Sequence, residues 1–311
     1  MSRFAAFNFK GKKHFGIICK IKGGYELFSI SQKFKIRNLK GLFSFAKSKS
    51  KSISEISGEL AKGTSAICAF SGIDEIGSKE FEERFKVKML MPFRPAEVWG
   101  AGVTYKREKL GDDIYSRSYL SPRPYLFFKA TPARCSGPNG KVGIRSDSSL
   151  SVPEPELVAV LDGEGKIFGY TCGNDMGSRD MEKENILYLS QAKIYDNCFS
   201  LGPIFATPDE ISPETEIGCR ISRNGKKIFD SKTAISRMAR TPWSMADWLS
   251  RCNKLPFGTA LSTGTGAAPP ADFALEGGDE IEVWISGLGT LRNTVAKIGK
   301  KSEGSVKNGR T

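Results

Sequence analysis

The sequence contains no run of apolar residues near the roughly 20 needed to cross a membrane, and residues 1–20 lack the apolar core of a signal peptide. Its seven cysteines are odd in number, lie far apart and never form a CxxC pair. These absences argue against a membrane partner, a disulfide framework and a cysteine zinc site. We therefore expect a soluble, cytoplasmic protein.

Acidic residues are fewer than basic residues: the sequence has 34 Asp and Glu and 47 Lys and Arg, which gives a net charge of +13. The excess lies in the flanks: residues 1–88 have 18 basic and 8 acidic side chains, and residues 297–311 have 5 and 1. Nucleic-acid binding normally needs a continuous basic face, often with interleaved aromatic residues. The pattern favours solvated flanks, and nucleic-acid binding stays a minor alternative.

A chain of 311 residues suits one large domain with a smaller companion. We predict a small N-terminal domain at 1–88, with short strands and a helix near 54–62. A catalytic domain is predicted at 89–298, followed by a basic, disordered tail at 299–311.

The large domain has mostly β patterns and few helical ones. We predict a hairpin of 157–161 and 166–171 around the turn 162–165, a second hairpin at Asn224 and Gly225, a strand pair at 280–286 and 290–296, and a helix at 243–252. This alternation predicts a mostly β (α+β) sandwich or roll and argues against a doubly wound sheet.

Carboxylates cluster at the mouth of the first hairpin, in the segment PEPEL at 153–157. Glu154 and Glu156 are two apart on a strand and should face the same side. Asp175 is expected just beyond the end of the returning strand, on that side. Three such carboxylates would repel one another unless a hard divalent cation such as Mg²⁺ or Mn²⁺ lay between them. The pair alone is also typical of a solvated strand face.

A longer series of motifs gives this cluster a context. In order they are EVWGAGVTY at 97–105, RPYLFFKATP at 123–132, IRSDSS at 144–149, PEPEL at 153–157, GYT at 169–171, NDMGSRD at 174–180, YLSQAKIY at 188–195 and STGTG at 262–266. Together they resemble the catalytic domain of the fumarylacetoacetate hydrolase family, and within it the sugar-acid dehydratases. The resemblance covers about 87–296, whereas 1–86 has no motif that matches.

This resemblance implies a mixed β-roll fold, a homodimer and a bound Mg²⁺, with Mn²⁺ or Ca²⁺ as alternatives, on the three carboxylates. It implies Lys193 as the catalytic base and Lys129, Arg145 and Thr265 as substrate-binding residues. Alternatives stay open: Lys193 as a surface lysine, Arg145 as a structural ion-pair partner and Thr265 as a turn residue.

The implied chemistry is the dehydration of a small 2-keto acid. Such a substrate can chelate a cation through a carboxylate oxygen and its keto oxygen, and the cation then stabilises the enolate that forms when a C3 proton leaves. Lys193 could remove that proton if its neighbours lower its pKa. Loss of a C4 hydroxyl completes the reaction. We therefore predict a Mg²⁺-dependent lyase that dehydrates a 2-keto-3-deoxy sugar acid, a pentonate.

The sequence departs from the family in its single histidine, His14, which we expect in a polar turn far from the motifs. Many hydrolases and decarboxylases of the family use a His–Glu pair to activate water, and that pair cannot be assembled from the catalytic domain here. C–C hydrolysis and decarboxylation are thereby disfavoured, while isomerisation stays an alternative.

Two expected glutamates are also replaced, by Lys106 and by Tyr125, and the segment between 106 and 123 is short. The proton donor for the departing hydroxyl is therefore open. Glu108, Asp112 and Asp113 are the substitutes that the sequence offers. A metal-binding homologue with little activity is the alternative that these changes motivate.

Overall fold

The computed structural model describes residues 2–62 and 64–299, and the predicted tail lies outside them except for Gly299. The strands are β1 Arg3–Phe9, β2 Lys12–Ile21, β3 Gly24–Ser29, β4 Ala66–Phe70, β5 Val87–Leu90, β6 Val98–Gly102, β7 Tyr125–Ala130, β8 Cys135–Ser136, β9 Lys141–Arg145, β10 Ser151–Leu161, β11 Ile167–Ser178, β12 Phe199–Leu201, β13 Ile204–Ala206, β14 Glu216–Arg223, β15 Lys226–Ala234, β16 Thr259–Ser262, β17 Glu280–Ile285 and β18 Gly289–Ile298. The helices are α1 Ser31–Phe34, α2 Leu39–Ser48, α3 Ile53–Ala61, α4 Lys79–Phe85, α5 Ile114–Leu120, α6 Arg179–Glu184, α7 Leu189–Lys193 and α8 Pro242–Ser250.

These strands form two mixed sheets. The larger has 13 strands and runs β4-β3-β2-β1-β13-β11-β10-β16-β6-β7, with β5, β8 and β12 paired beside this path. The smaller has five strands in the order β15-β14-β17-β18-β9. Most pairs are antiparallel, whereas β16 and β6, β12 and β8, and β18 and β9 are parallel. The predicted mostly β (α+β) class is confirmed.

The hairpin of β10 and β11 lies at the centre of the molecule, and nearly all of its residues are buried. Its turn is held by Asp162, whose carboxylate accepts hydrogen bonds from the backbone N–H of Glu164 and of Lys166, both at 2.9 Å. Gly165 completes the turn at φ +79°, a conformation that favours glycine. The predicted hairpin is therefore confirmed, and its strands are longer than the pattern indicated.

The second predicted hairpin joins β14 and β15. Asn224 and Gly225 both have positive φ, at 51° and 74°, as the tight turn between two antiparallel strands requires. The strand pair β17–β18 and helix α8 also lie where the sequence predicted them. Pro242 opens α8 and Thr241 caps it by accepting from the Ser244 N–H.

The N-terminal strands extend the larger sheet. β1 pairs with β13 in antiparallel register, with Arg3 opposite Ala206. α3 lies at the predicted helix and begins with a capping box between Ser52 and Glu55. The domain boundary near residue 88 stays a prediction. Within the described ranges, no helix has the length and apolar character needed to cross a membrane.

His14 does not lie in a turn as expected. It is a buried residue of β2, its ring stacks on Phe7 with centroids 5.3 Å apart, and its Nδ1 is 2.8 Å from Ser29 Oγ. The polar neighbours in sequence suggested a turn, but His14 follows the exposed Lys12 and Lys13 and begins the continuous buried stretch of β2.

Candidate metal centre and active site

Three carboxylates converge where β10 and β11 pair. Glu154 lies directly opposite Asp175 in the antiparallel register, and Glu156 follows two residues later on the same face. One oxygen of each of these side chains lies within 4.8 Å of the other two. Asp175 is an internal residue of β11, whereas the sequence had placed it beyond the end of a shorter strand.

Glu156 is fixed by the loop after β16. Its Oε2 accepts hydrogen bonds from Ser262 Oγ at 2.5 Å and from the Gly264 N–H at 2.7 Å. Burial, together with Asp175 and Glu154, raises the pKa of Glu156 well above its ordinary value. Without a bound metal ion, the Glu156 carboxyl group therefore tends to hold a proton.

Gly264 has to be a glycine for this arrangement. Its φ is +88°, and a Cβ at this position would lie 2.1 Å from Thr104 Oγ1. The STGTG segment thus provides both the side chain and the backbone donor that orient Glu156.

Lys193 ends helix α7 and points its ammonium group at the carboxylates. Its Nζ donates to Glu154 Oε2 at 2.7 Å and lies 3.8 Å from Asp175 Oδ1 and 3.6 Å from Glu182 Oε1. Burial opposes its charge, but these carboxylates outweigh burial and raise the pKa of Lys193 well above its ordinary value. The expected lowering of this pKa is therefore corrected: without a cation, Lys193 is held as an ammonium ion.

Lys129, expected to bind substrate, is fully buried at 0% exposure. Its Nζ donates to the backbone oxygens of Met176 at 2.7 Å and of Lys193 at 2.5 Å, and lies 2.6 Å from Asp175 Oδ1. Three protein oxygens thus surround an ammonium with three donors. In this structure Lys129 binds Asp175 and the end of α7, and it does not belong to the cavity lining that the described residues form.

Arg145 and Thr265 differ in their access to the site. Arg145 forms a bidentate pair with Asp147 at 2.9 and 2.6 Å and donates to the Gln191 carbonyl at 3.1 Å, so it braces α7 from outside the cavity. Thr265 lines the cavity beside Gly264. Only Thr265, of the three residues expected at the substrate, lies where a substrate could contact it.

A cavity of about 740 Å³ lies over the carboxylates. Lys106 and Tyr125, which replace the expected glutamates, both line it. Burial is the main cause that raises the pKa of Tyr125, so its hydroxyl stays protonated as a neutral phenol.

The three acids proposed as substitutes lie elsewhere. Glu108 has an 87% exposed side chain 3.6 Å from Arg237. Asp112 is 96% exposed and pairs with Arg117, and Asp113 caps α5 by accepting from the Ser116 N–H at 2.9 Å. None of the three belongs to the cavity lining that the described residues form.

Glu182 is the acid that the sequence reasoning missed. It lies in α6, lines the cavity, and has a 19% exposed side chain beside Lys193. In the sequence, Glu182 is distinguished only by its position seven residues after Asp175. No spacing rule predicts that a residue in the first turn of a helix lies near a residue of the preceding strand.

The donor set fits a hard divalent cation. All the candidate ligand atoms are carboxylate oxygens, two of the three residues are buried at 2% and 1% exposure, and all lie at the base of an open cavity. Lys129 and Lys193 pair with Asp175 and Glu154, whereas Glu156 has no ion-pair partner among the described residues, and a bound cation would replace the proton that its raised pKa favours.

Known proteins resemble this chain in sequence. Residues 98–296 match the family model described as fumarylacetoacetate (FAA) hydrolase C-terminal. The 2-dehydro-3-deoxy-D-arabinonate dehydratase of Saccharolobus solfataricus is 42% identical over 224 residues, which are 68% of this chain and 75% of that protein. The probable 2-keto-3-deoxyxylonate dehydratase of Haloferax volcanii is also 42% identical, over 67% of this chain and 75% of that protein.

A solved structure of 2-keto-3-deoxy-D-arabinonate dehydratase, complexed with magnesium and 2,5-dioxopentanoate, has a TM-score of 0.74 and 33% sequence identity to this chain. The match covers 96% of this chain and 100% of that one. Sequence and fold agree, and this chain belongs to the fumarylacetoacetate hydrolase family.

Proposed function

We propose that this protein is a metal-dependent hydro-lyase that removes water from a 2-keto-3-deoxy pentonate. The observation that carries this proposal is the convergence of Glu154, Glu156 and Asp175 beside Lys193 at the base of the cavity. The two relatives at 42% identity are both named as dehydratases of five-carbon 2-keto-3-deoxy acids, and this chain covers 75% of each.

The three carboxylates are the residues that would hold the cation, and Mg²⁺ is our proposal for it. When bound, such a cation supplies positive charge that stabilises the negative charge developing on the keto oxygen of the substrate. The donors from Ser262 and Gly264 orient Glu156 for this role, and Lys129 orients Asp175. Mn²⁺ or Ca²⁺ would suit the same oxygen donors.

Lys193 is our candidate for the base that removes a C3 proton. Its Nζ lies at the cavity wall within 3.8 Å of three carboxylates. Two of these are proposed metal ligands, and neutralising their charge removes most of the attraction that holds the Lys193 proton. The base is therefore available only when the metal centre is filled, which couples proton removal to metal binding.

Substrate contact is proposed for Thr265, which lines the cavity, in line with the expectation from the sequence. For Lys129 and Arg145 we propose positioning roles instead, because both bind protein oxygens that fix Asp175 and α7. The substrate carboxylate must then find its positive partner at the cation or among the basic residues at the cavity mouth, such as Lys106 and Arg107.

Hydrolysis of a C–C bond is disfavoured by the position of His14. This histidine is 8% exposed, stacked on Phe7 in β2, and absent from the cavity lining within the described part of the chain. No imidazole is therefore available beside the carboxylates to activate water.

A homodimer and a cytoplasmic location are further proposals. Apolar side chains are exposed on α5 and before α7, with Leu120 at 67% and Leu187 at 83%, and exposed apolar patches often mark interfaces. The cysteines of the described residues are all free thiols, which suits a reducing compartment. Light scattering of the purified protein tests the dimer.

The experiment that tests the function uses both enantiomers of 2-keto-3-deoxypentonate, which differ at C4, with and without Mg²⁺. Loss of one water from this acid gives 2,5-dioxopentanoate, which NMR follows directly. We expect Mg²⁺-dependent formation of this product from one enantiomer. Absence of product from both, with metal bound, would overturn the proposal and favour the low-activity homologue.

A further inference from the structure

Dehydration needs an acid as well as a base, because a hydroxide ion is a poor leaving group from C4. The expected glutamates are replaced by Lys106 and Tyr125, and the acids near residue 110 are not among the described residues that line the cavity. Among the described residues, the cavity is lined by four carboxyl side chains. Three belong to the metal centre, and the fourth is Glu182.

Glu182 has the geometry of a proton donor. Its Oε1 is buried and has no hydrogen-bond partner among the described residues, and it lies 3.6 Å from Lys193 Nζ. It is not one of the three carboxylates whose oxygens converge within 4.8 Å. Burial, opposed by Lys193 and helped by Glu154, raises the pKa of Glu182. The Glu182 side chain lines the cavity, and because no protein group is hydrogen-bonded to its Oε1, the carboxyl group is free to give its proton to a bound molecule.

We propose that Glu182 is a catalytic acid of this enzyme, which gives its proton to the C4 hydroxyl as that group leaves. The inference rests on the proposed dehydratase function and adds the residue that the sequence comparison with the family left open.

The step is balanced. The C3–H bond breaks, its proton goes to Lys193 Nζ, and its electron pair forms the C3=C4 double bond. The C4–O bond breaks, and the leaving hydroxyl takes the C4–O electron pair and the Glu182 proton to become water. The first product is the 3,4-unsaturated 5-hydroxy-2-keto acid, and two proton shifts, from C5 to C3 and from the C5 hydroxyl to C4, convert it to 2,5-dioxopentanoate. Lys193 then carries one extra proton and Glu182 lacks one. Because the two groups are neighbours, the ammonium returns its proton to the carboxylate and both are reset.

The phenols in the cavity are poorer candidates for this acid. Tyr105, Tyr115 and Tyr125 line the cavity, but burial, the main cause, raises the pKa of each above that of an ordinary phenol. A carboxyl group gives up its proton far more readily than any of these phenols.

The test is Glu182→Gln, which keeps the shape and removes the acid. In D₂O with Mg²⁺, two rates are followed by NMR: loss of water from the substrate and exchange of its C3 hydrogen. We expect water loss to fall by about 100-fold or more, while C3 exchange stays within a few-fold of wild type, since Lys193 is intact. Glu184→Gln, an exposed residue of the same helix, is the matched control.

A second substrate isolates the acid step. A 2-keto acid with fluorine in place of the C4 hydroxyl has a leaving group that needs far less help from a proton. Glu182→Gln should release fluoride nearly as fast as wild type. Glu182→Asp, which keeps the carboxyl, should dehydrate faster than Glu182→Gln. Thermal unfolding and Mn²⁺ titration establish that each variant is folded with its metal centre intact.

Each other outcome overturns the inference. Normal water loss in Glu182→Gln shows that another group is the acid. Parallel loss of C3 exchange and fluoride release shows that Glu182 only positions Lys193. If the wild type releases neither water nor fluoride, the proposed function itself fails. This outcome differs from failure of the Glu182 proposal, in which the wild type remains active.

Discussion

Glu154 and Asp175 face each other across the antiparallel pair of β10 and β11. Like charges in directly opposed positions of a sheet are unfavourable, and Glu156 adds a third on the same face. Lys193 and Lys129 each lie within 2.7 Å of one member of this pair. Glu156 has no such ammonium partner among the described residues, and it is the carboxyl at which a bound cation would replace a proton.

Glu156→Gln removes one negative charge from this centre and keeps its shape. We expect the affinity for Mg²⁺ to fall and excess Mg²⁺ to restore part of the activity. Metal-free, the variant should be at least as stable as wild type, because a buried carboxyl with a raised pKa is replaced by a neutral amide. Calorimetric titration measures the affinity. Glu164→Gln, in the exposed turn between β10 and β11, is the control.

Lys193→Met should bind metal nearly as well as wild type and lose turnover by orders of magnitude, because an ammonium is not a metal ligand. Excess Mg²⁺ should not restore its activity. Steady-state rates at rising Mg²⁺ separate this defect from that of Glu156→Gln, and Lys166→Met, on the surface, is the matched control. Full activity in Lys193→Met would remove Lys193 from the mechanism.

Lys129→Met breaks a fully buried ion pair with Asp175. Removing one partner of such a pair costs about 3–5 kcal/mol of the free energy of unfolding. Urea unfolding should show this loss, and metal affinity should fall because Asp175 is no longer held. Lys227→Met, with a 59% exposed side chain, should change neither. A stable Lys129→Met with normal metal affinity and a raised KM would restore Lys129 as a substrate contact.

Gly264→Ala tests the loop that orients Glu156. The new Cβ would meet Thr104 Oγ1 at 2.1 Å, in a backbone conformation at φ +88°. Gly258→Ala has nearly the same φ, +85°, with nothing within 4 Å, so it incurs only the backbone strain of about 1–2 kcal/mol. We expect both to lose stability but only Gly264→Ala to lose metal affinity. Equal metal affinity in the two variants would show that this loop does not orient Glu156 for metal binding.

Metal binding should release a proton. Burial and the neighbouring carboxylates raise the pKa of Glu156 well above its ordinary value, and the cation needs the ionised form. Affinity should therefore be highest above this raised pKa and fall as the pH drops through it. Calorimetry in two buffers of different ionisation enthalpy counts the protons released, and Glu156→Gln should release fewer.

The strands, turns and paired glutamates could be predicted from the sequence because their signals are local. Alternation with period two fixed the common face of Glu154 and Glu156, and the residues Asn224 and Gly225 specified a tight turn. The motif series indicated the family for the same reason, since each motif is a short run whose order along the chain is preserved.

The tertiary structure alone decided which distant side chains meet. The length of β11 and its register with β10 set Asp175 opposite Glu154, and a one-residue slip would have sent it to the other face. The packing of α7 against β7 enclosed Lys129, so a lysine expected at the substrate became a buried support. The turn from β11 into α6 brought Glu182 to Lys193. Such contacts depend on long-range pairing of backbone and core, which no local pattern of residues encodes.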